Sequence, residues 1–352
     1  MKARVTQRDV AREAGVSHVT VSLALRESPT IPESTQKRIK EIAERLGYSP
    51  DPMLAALSSY RTQQRPAAHQ ANIAWLYNNP EASTKGSFGD FGDYLKGAAA
   101  RAQQLGYILD EINISGEYED PKRLRRLLDA RNITGLVLSP CGTHLAPASH
   151  EFNFDLTRYS AVRIGYSYRA PLLNTVANAQ FRTVLTAMRN AIDLGYERIC
   201  MLLTREVDKR TSWQFLGGYL AGIHLLPKKN WFDPYYIVPG EHWQDAFFLW
   251  LEKHKIDCVV GAGFGYICHD MIRRGLRVPD DVGYIDTQLP QGETFLTGVD
   301  QNPRQIGVAS IDLLVSMMHR HDIGIPEIAS HLLIEGSWRG NKTTSRRLHV
   351  PA

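Results

Sequence analysis

The sequence predicts an α/β protein in which a small all-α unit at the N-terminus precedes a core of two doubly wound subdomains. Residues 6–46 show helical periodicity interrupted by glycine, whereas apolar, strand-like runs alternate with amphipathic helices from residue 73 onward. Continuous apolar runs separated by helices are typical of parallel sheets that are covered on both faces. The number of such units is too large for one sheet, so we expect two.

The first predicted helix begins after Thr6, which is a good N-cap, and Asp9 can complete a near-capping box with it. Its apolar stripe consists of Val10, Ala11 and Ala14. Gly15 ends the helix because glycine enters left-handed backbone space without a steric penalty. The chain can therefore turn sharply at this point.

A second helix runs from the capping residue Ser17 to about Leu25, with Val21, Ala24 and Leu25 able to face inward. The open face or its edges then carry Ser17, His18, Val19, Thr20, Ser22 and Leu23. A third helix starts at Pro32 and runs to Leu46, where Gly47 ends it. Two short helices at this spacing form a helix-turn-helix, which places its second helix in the major groove of DNA. The alternative is a small helical bundle without a DNA role.

The charge distribution supports the DNA interpretation. Residues 1–65 contain 11 Lys and Arg against 7 Asp and Glu, whereas residues 66–352 balance at 30 against 30. All of the net charge of +4 therefore lies in the segment that is proposed to meet phosphate.

Composition excludes several classes of protein. The chain of 352 residues contains no run of eighteen apolar residues, and its N-terminus does not resemble a signal peptide, so we expect a cytoplasmic protein that is not bound to a membrane. The four cysteines, Cys141, Cys200, Cys258 and Cys268, show no metal-binding spacing and are predicted to be buried free thiols. We expect no metal and no cofactor.

The core is predicted element by element after a hinge at 47–57 and a polar linker at 61–69. Strands are expected at 73–77, 106–109, 135–138, 162–165, 198–203, 235–238, 258–260 and 282–286. Helices are expected at 90–105, 121–131, 181–194, 215–225, 243–253 and 266–274. In such folds ligands bind at the carboxyl ends of the strands, here in a cleft between the two subdomains.

Several motifs resemble those of the lac repressor (LacI/GalR) family of transcriptional regulators, and the resemblance covers essentially the whole chain. They are Asp9-Val-Ala, Ala14-Gly-Val-Ser, Thr20-Val-Ser, Leu46-Gly-Tyr with Pro50, and Gly275-Leu-Arg-Val-Pro-Asp-Asp-Val. The resemblance implies a helix-turn-helix headpiece joined to a core like that of periplasmic binding proteins. It also implies a homodimer on a near-palindromic operator in double-stranded DNA, whose affinity changes when a small effector binds. The tail has no leucine heptads, which favours a dimer over a tetramer.

The domain boundaries follow from this resemblance and from the predicted elements. We expect a headpiece at 1–49, a hinge helix and linker at 50–70, an N-terminal core subdomain at 71–165 with 291–321, a C-terminal core subdomain at 166–290 with 322–338, and a tail at 339–352. The chain would thus pass between the subdomains near Gly165, Gln291 and Asp322.

The resemblance also implies roles for residues that would contact DNA. The positions of the family's base readers are occupied by His18, Val19 and Leu23. Positions that contact phosphate or cap helices are occupied by Thr6, Ser17, Thr20, Ser22 and Arg26. Leu57 matches the hinge leucine that wedges into the minor groove, although it can also pack within its own subunit.

Leu23 departs from the family, which commonly has an arginine here that reads guanine with two hydrogen bonds. A leucine can only meet a thymine methyl group or pack. We therefore predict a weaker guanine requirement at the base pair that faces Leu23. His18 can donate to a purine N7 or contact phosphate.

The family's usual sugar contacts are largely missing, and aromatic residues remain near the predicted strand ends. The candidate effector contacts are Phe88, Phe91, Asn178, Arg210, Trp213, Phe264 and Asp286, with Tyr166 as a further aromatic. Aromatic faces with a few polar groups suit a carbohydrate-like effector. The alternative is that most of these residues belong to the core or to an interface.

Two other classes of function were compared with the effector-controlled regulator. A solute-binding protein would share the core but would need an export signal and no headpiece. An enzyme is not expected, because no Gly-x-Gly-x-x-Gly or Gly-x-Ser-x-Gly follows a strand.

Overall fold

The computed structural model describes residues 5–25, 31–48, 71–78, 91–141, 150–238, 240 and 242–347. The helices in these ranges are α1 Gln7–Ala14, α2 His18–Leu25, α3 Glu33–Leu46, α4 Phe91–Gln104, α5 Pro121–Ala130, α6 Gln180–Asp193, α7 Arg205–Arg210, α8 Gln214–Ile223, α9 Trp243–Lys253, α10 Gly265–Arg273 and α11 Pro303–Arg320. The strands are β1 Ala71–Tyr77, β2 Tyr107–Asn113, β3 Gly135–Leu138, β4 His150–Glu151, β5 Ser160–Ile164, β6 Tyr168–Ala170, β7 Asn174–Asn178, β8 Ile199–Leu203, β9 Tyr235–Tyr236, β10 Cys258–Gly261, β11 Gly283–Asp286, β12 Thr297–Asp300, β13 His331–Ile334 and β14 Ser337–Arg339.

The three N-terminal helices pack around a small core of their own. Val10, Val21, Ala24 and Ile39 are fully buried there. These positions agree with the inward faces predicted from the sequence. Gly15 and Gly47 take left-handed φ angles of 64° and 69° at the ends of α1 and α3, as their positions after the last helical residues predict.

Two six-stranded sheets dominate the rest of the described fold, beside a small parallel pair formed by β4 and β6. The first has the order β13-β7-β5-β3-β1-β2 and is parallel throughout. The second has the order β14-β12-β11-β10-β8-β9 and is parallel except for β14, which runs antiparallel to β12. The predicted fold class, a helical headpiece followed by two parallel α/β subdomains, is confirmed.

The chain passes between the sheets later than the sequence predicted. The crossing near Gly165 is wrong because β7 still pairs with β5 in the first sheet, so the chain leaves only after Asn178. The crossing near Gln291 is wrong because β12 pairs with β11 in the second sheet, so the return follows Asp300. The crossing near Asp322 is wrong because β13 pairs with β7, which moves the last crossing to residues 335–336. The strands β7, β12 and β13 are short and show no clear hydrophobic periodicity, so the sequence did not indicate these pairings.

Hydrogen bonds tie the three crossings together. The Asn178 side chain donates to the Ile334 carbonyl at 3.2 Å. The Asn302 side chain donates to the Glu335 carbonyl at 2.7 Å and to the Ser337 hydroxyl at 3.0 Å. The first and second crossings are therefore both fastened to the third.

Helices α4 and α11 approach each other so closely that their contact admits only glycine. A Cβ at Gly97 would lie 2.0 Å from the Arg304 carbonyl oxygen, and a Cβ at Gly307 would lie 2.0 Å from the Tyr94 carbonyl oxygen. Two glycines thus allow the two backbones to touch.

Residues 341–347, which we call the C-terminal strap, complete the second sheet. Thr343 is fully buried; its hydroxyl donates to the Tyr284 carbonyl at 2.7 Å and accepts from the Thr297 amide at 2.8 Å. The Thr343 carbonyl accepts from the Tyr284 amide at 2.8 Å. The strap therefore bridges β11 and β12, and the predicted tail is integrated into the fold as far as residue 347.

The cysteines are buried as predicted, with exposed fractions of 0–2%. Burial raises the pKa of Cys200 and of Cys268 to about 12. Among the described residues, no helix is both long and apolar enough to cross a membrane.

One carboxylate in the first half gives a test of acid stability. Asp155 accepts from the Thr157 hydroxyl at 2.7 Å and from Arg125 at 2.7 Å, and these contacts, led by Thr157, lower the pKa of Asp155 from 3.8 to about 2. A lowered pKa in the folded state stabilises the fold above the unfolded-state value, and this contribution is lost as the pH falls towards about 2. We expect Asp155→Asn to show a smaller fall of the urea midpoint between about pH 5 and about pH 2 than the original chain. An equal fall would contradict this interpretation.

Candidate functional site

Local hydrogen bonds secure the N-terminal end of each of the first two helices. The Asp9 carboxylate accepts from the Thr6 amide at 2.9 Å and from the Thr6 hydroxyl at 2.7 Å, which secures the start of α1. The Ser17 hydroxyl oxygen accepts from the Thr20 amide at 3.1 Å and secures the start of α2. The Ser17 and Thr20 hydroxyls also bond to each other at 2.8 Å. Three of the predicted contact residues, Thr6, Ser17 and Thr20, therefore already have internal partners.

Helix α2 contains no Asp, Glu, Lys or Arg, and His18 in its first turn is its one titratable side chain. Since Val21 and Ala24 are fully buried, the opposite face is the one available to a ligand. His18 is exposed on α2 and Leu23 is partly exposed. The side chains of Val19 and Ser22, and all of Arg26 and Leu57, lie outside the residues that the structure describes.

Two of the basic residues in this unit have structural partners. Arg45 pairs with Glu13 at 2.7 Å and joins α3 to α1. Arg38 donates to the Ala14 carbonyl at 3.2 Å, where α1 ends. The positive charge of the unit therefore stabilises the packing of its helices as well as being available to phosphate.

A second candidate site lies where the carboxyl ends of the two sheets face each other. On the first half, the Cys141 amide donates to the Ser167 hydroxyl at 2.9 Å, which joins the segments that follow β3 and β5. The Tyr166 hydroxyl and the Gln180 side-chain oxygen, after β5 and β7, are buried and have no hydrogen-bond partner among the described residues. Buried polar atoms of this kind need a partner from solvent or from a ligand.

On the second half, the short helix α7 follows β8 and carries Arg210 at its end. Burial lowers the pKa of Arg210, while Cys141 and Tyr94 lie close enough to raise it electrostatically. Both of these residues belong to the first half. Arg210, which follows β8, therefore lies near residues of the first half.

The structure brings together only part of the predicted effector site. Asn178 is 2% exposed, and its side-chain oxygen accepts from the Thr183 hydroxyl at 2.8 Å. Asp286 is 1% exposed and accepts from the amides of Gly263 at 3.2 Å and Gln288 at 2.8 Å. Phe264 is 2% exposed within the second core. These three side chains have internal partners and do not face an open cleft.

Arg210 and Trp213, at and just after the end of α7, are not fully buried. Trp213 is 46% exposed, and Arg210 is partly buried. Phe88 and the side chain of Phe91 lie outside the described residues. Their predicted role therefore stays a prediction.

Sequence reasoning missed two residues of this region. Asp208 lies in α7 and is completely buried, although the run Arg205–Arg210 is highly charged and resembles an exposed helix. Gln180 is the first residue of α6, and no motif around it in the sequence indicates a binding role. Only the three-dimensional placement of these two residues at the strand ends identifies them.

Comparisons with known proteins agree with this organisation. A family model described as "Bacterial regulatory proteins, lacI family" matches residues 6–51. Among curated relatives, the probable HTH-type transcriptional repressor ExuR of Bacillus subtilis is 26% identical over 98% of this chain and 99% of its own length. The HTH-type transcriptional repressor PurR of Photobacterium profundum is 23% identical over 94% of this chain and 98% of its own length.

Solved structures show the same fold at low sequence identity. A complex of the transcriptional regulator CelR with cellobiose aligns with a TM-score of 0.55 at 17% identity, covering 97% of this chain and 100% of its own. The lac repressor dimer bound to operator and the anti-inducer ONPF aligns with a TM-score of 0.52 at 18% identity, with the same coverage. These likenesses concern the fold.

Proposed function

We propose that the chain is a regulator of the LacI family, whose model matches residues 6–51, and that it represses transcription by binding a near-palindromic operator as a homodimer. The observation that carries the proposal is the arrangement of α1 and α2. Their buried faces and capping bonds leave one face of α2 open, in a segment whose net charge is positive. Such a unit binds DNA through phosphate contacts and reads bases from its second helix.

The proposal is tested by fluorescence anisotropy with the full-length protein and DNA fragments selected from a random pool. We expect enrichment of a palindromic sequence and binding that weakens steeply as salt is raised, because phosphate contacts release counterions. Val21→Asp is the matched loss-of-binding variant, since it places a charge in the headpiece core and leaves both sheets untouched. No salt-sensitive binding to any enriched DNA would overturn the proposal.

We further propose that a small carbohydrate-like effector binds between the two halves and changes operator affinity. Arg210, which lies near residues of the first half, supports this proposal, as do the buried hydroxyl of Tyr166 and the buried amide oxygen of Gln180. A ligand rich in hydroxyl groups supplies donors for such acceptors. It can shift the halves only to the extent that it binds one arrangement more tightly.

A thermal-shift screen tests the effector proposal independently of DNA. Hexuronates, neutral disaccharides, pentoses and purines form the panel, and Gln180→Leu serves as a variant that removes the polar oxygen. We expect a carbohydrate to raise the melting temperature of the original chain and to alter its operator affinity. Stabilisation by purines alone would overturn the carbohydrate proposal and leave operator binding intact.

Leu23 gives a prediction about operator sequence. Because Leu23 is partly exposed and α2 offers no basic side chain there, we expect the facing base pair to show no strong guanine preference. Leu23→Arg should create such a preference, worth about 1–3 kcal/mol of discrimination. Selection of operators by both variants measures this. A strong guanine at that pair for the original chain, lost in Leu23→Ala, would contradict the prediction.

A further inference from the structure

The turn between α7 and α8 has an unusual backbone. Ser212 and Trp213 are consecutive non-glycine residues with φ angles of 54° and 61°. L-residues rarely adopt this left-handed region, and a bulky residue there is strained. Trp213 is also 46% exposed, so nearly half of this large apolar residue is in contact with solvent.

A buried carboxylate holds this turn in place. Asp208 is completely buried, and its carboxylate accepts from the Leu216 amide at 3.1 Å and from the Tyr236 hydroxyl at 2.8 Å. Its main-chain carbonyl accepts from the Trp213 amide at 2.8 Å. One residue therefore fastens the turn to the first turn of α8 and to the end of β9.

The surroundings of Asp208 strengthen this arrangement. Arg205 stacks on the Tyr236 ring at 4.3 Å from its centroid, which restrains the ring that carries the donating hydroxyl. The Thr211 hydroxyl donates to the carbonyls of Val207 at 2.9 Å and Asp208 at 3.3 Å. Strained conformations persist only where the surrounding structure over-determines them, and they cluster at ligand clamps.

The turn lies next to the proposed effector cleft. Arg210 immediately precedes it and interacts electrostatically with Cys141 and Tyr94 of the first half. We propose that Asp208 is a positioning residue, which holds Trp213 at the edge of the cleft so that the indole stacks on the ring of a carbohydrate effector. This inference rests on the proposed function, and it adds the residue that sets the aromatic contact.

The first experiment needs no ligand. Acrylamide quenching of the full-length protein is compared with that of its Trp213→Phe variant, and the difference isolates Trp213. We expect Asp208→Asn and Tyr236→Phe to change the quenching constant of Trp213 by about twofold, since the bonds by which the Asp208 side chain holds the turn to α8 and β9 are weakened or lost. Tyr235→Phe, on the same strand, is the matched control and should leave the constant unchanged. An unchanged constant in Asp208→Asn would overturn the positioning role.

The second experiment addresses the ligand with two defined probes, D-glucuronate and cellobiose. We expect one of them to quench Trp213 saturably in the original chain, with the apparent affinity reduced about tenfold in Asp208→Asn. Trp213→Gly removes the indole and should abolish the saturable quenching. It also relieves the strained backbone, so it should not lower the melting temperature. Ser212→Gly keeps the indole and should keep the quenching response. A general structural role for Trp213 would instead lower the melting temperature of Trp213→Gly.

The two proposals fail in different ways. Saturable quenching by neither probe would overturn the stacking proposal, while operator binding measured on the same preparation would still support the repressor. Loss of operator binding with normal Trp213 quenching would overturn the repressor and leave the positioning role in place.

Discussion

Replacing Gly97 with alanine is expected to lower the free energy of unfolding by about 3 kcal/mol, because the new methyl group overpacks a helix contact that has no spare room. Its Cβ would stand 2.0 Å from the Arg304 carbonyl oxygen, which belongs to backbone and cannot rotate away. Helices α4 and α11 must separate, and the first core must repack. Urea unfolding followed by circular dichroism measures the change.

Gly92→Ala is the matched control because Gly92 lies on the same helix and a Cβ there meets nothing within 4 Å. It should leave stability unchanged or raise it by up to about 1 kcal/mol through helix propensity. Gly307→Ala should resemble Gly97→Ala, and the double variant should cost less than the two together, since one separation of the helices relieves both clashes. Equal urea midpoints for Gly92→Ala and Gly97→Ala would contradict the expected close contact.

Replacing Thr343 with valine is expected to destabilise the second half by about 2–4 kcal/mol, because two buried backbone groups lose a hydrogen-bond partner. Valine keeps the shape of threonine but cannot donate to the Tyr284 carbonyl or accept from the Thr297 amide. Thr343→Ser preserves the hydroxyl and serves as the control, with an expected cost of about 1 kcal/mol for the lost methyl group. Chemical denaturation measures both variants. If Thr343→Ser is as damaging as Thr343→Val, the hydrogen bonds are not the reason.

The headpiece could be predicted from sequence because its signals are local. Thr6 and Asp9 lie three residues apart, and Gly15 and Gly47 stand directly after the last helical residues, so each boundary is determined by neighbours in the chain. The same applies to most strands of the core. Their continuous apolar runs reflect burial on both faces, which does not depend on the order of the strands.

The crossings could not be predicted because strand pairing is not a local property. The run Asn174–Asn178 is short and partly polar, and only its hydrogen bonds to β5 and β13 place it in the first sheet. The burial of two of the predicted effector contacts could not be foreseen for a related reason. Asn178 and Asp286 have the chemistry of ligand contacts, but distant segments supply partners for them: Asn178 donates to the Ile334 carbonyl, and Asp286 accepts from the Gly263 amide.

The C-terminal strap and the late crossings have a consequence for how the chain matures during synthesis. The headpiece is complete once residue 48 has emerged, because its contacts are all local. The first sheet cannot be completed before α11 and β13 have been synthesised. The second cannot be completed before the strap has been synthesised, because Thr343 in the strap joins β11 to β12. Protein synthesis adds roughly 5–20 residues per second, so the synthesis of about 300 further residues takes about 15–60 s. For that interval a folded three-helix headpiece is attached to an unfinished core, so under the proposed function DNA binding would precede control by an effector.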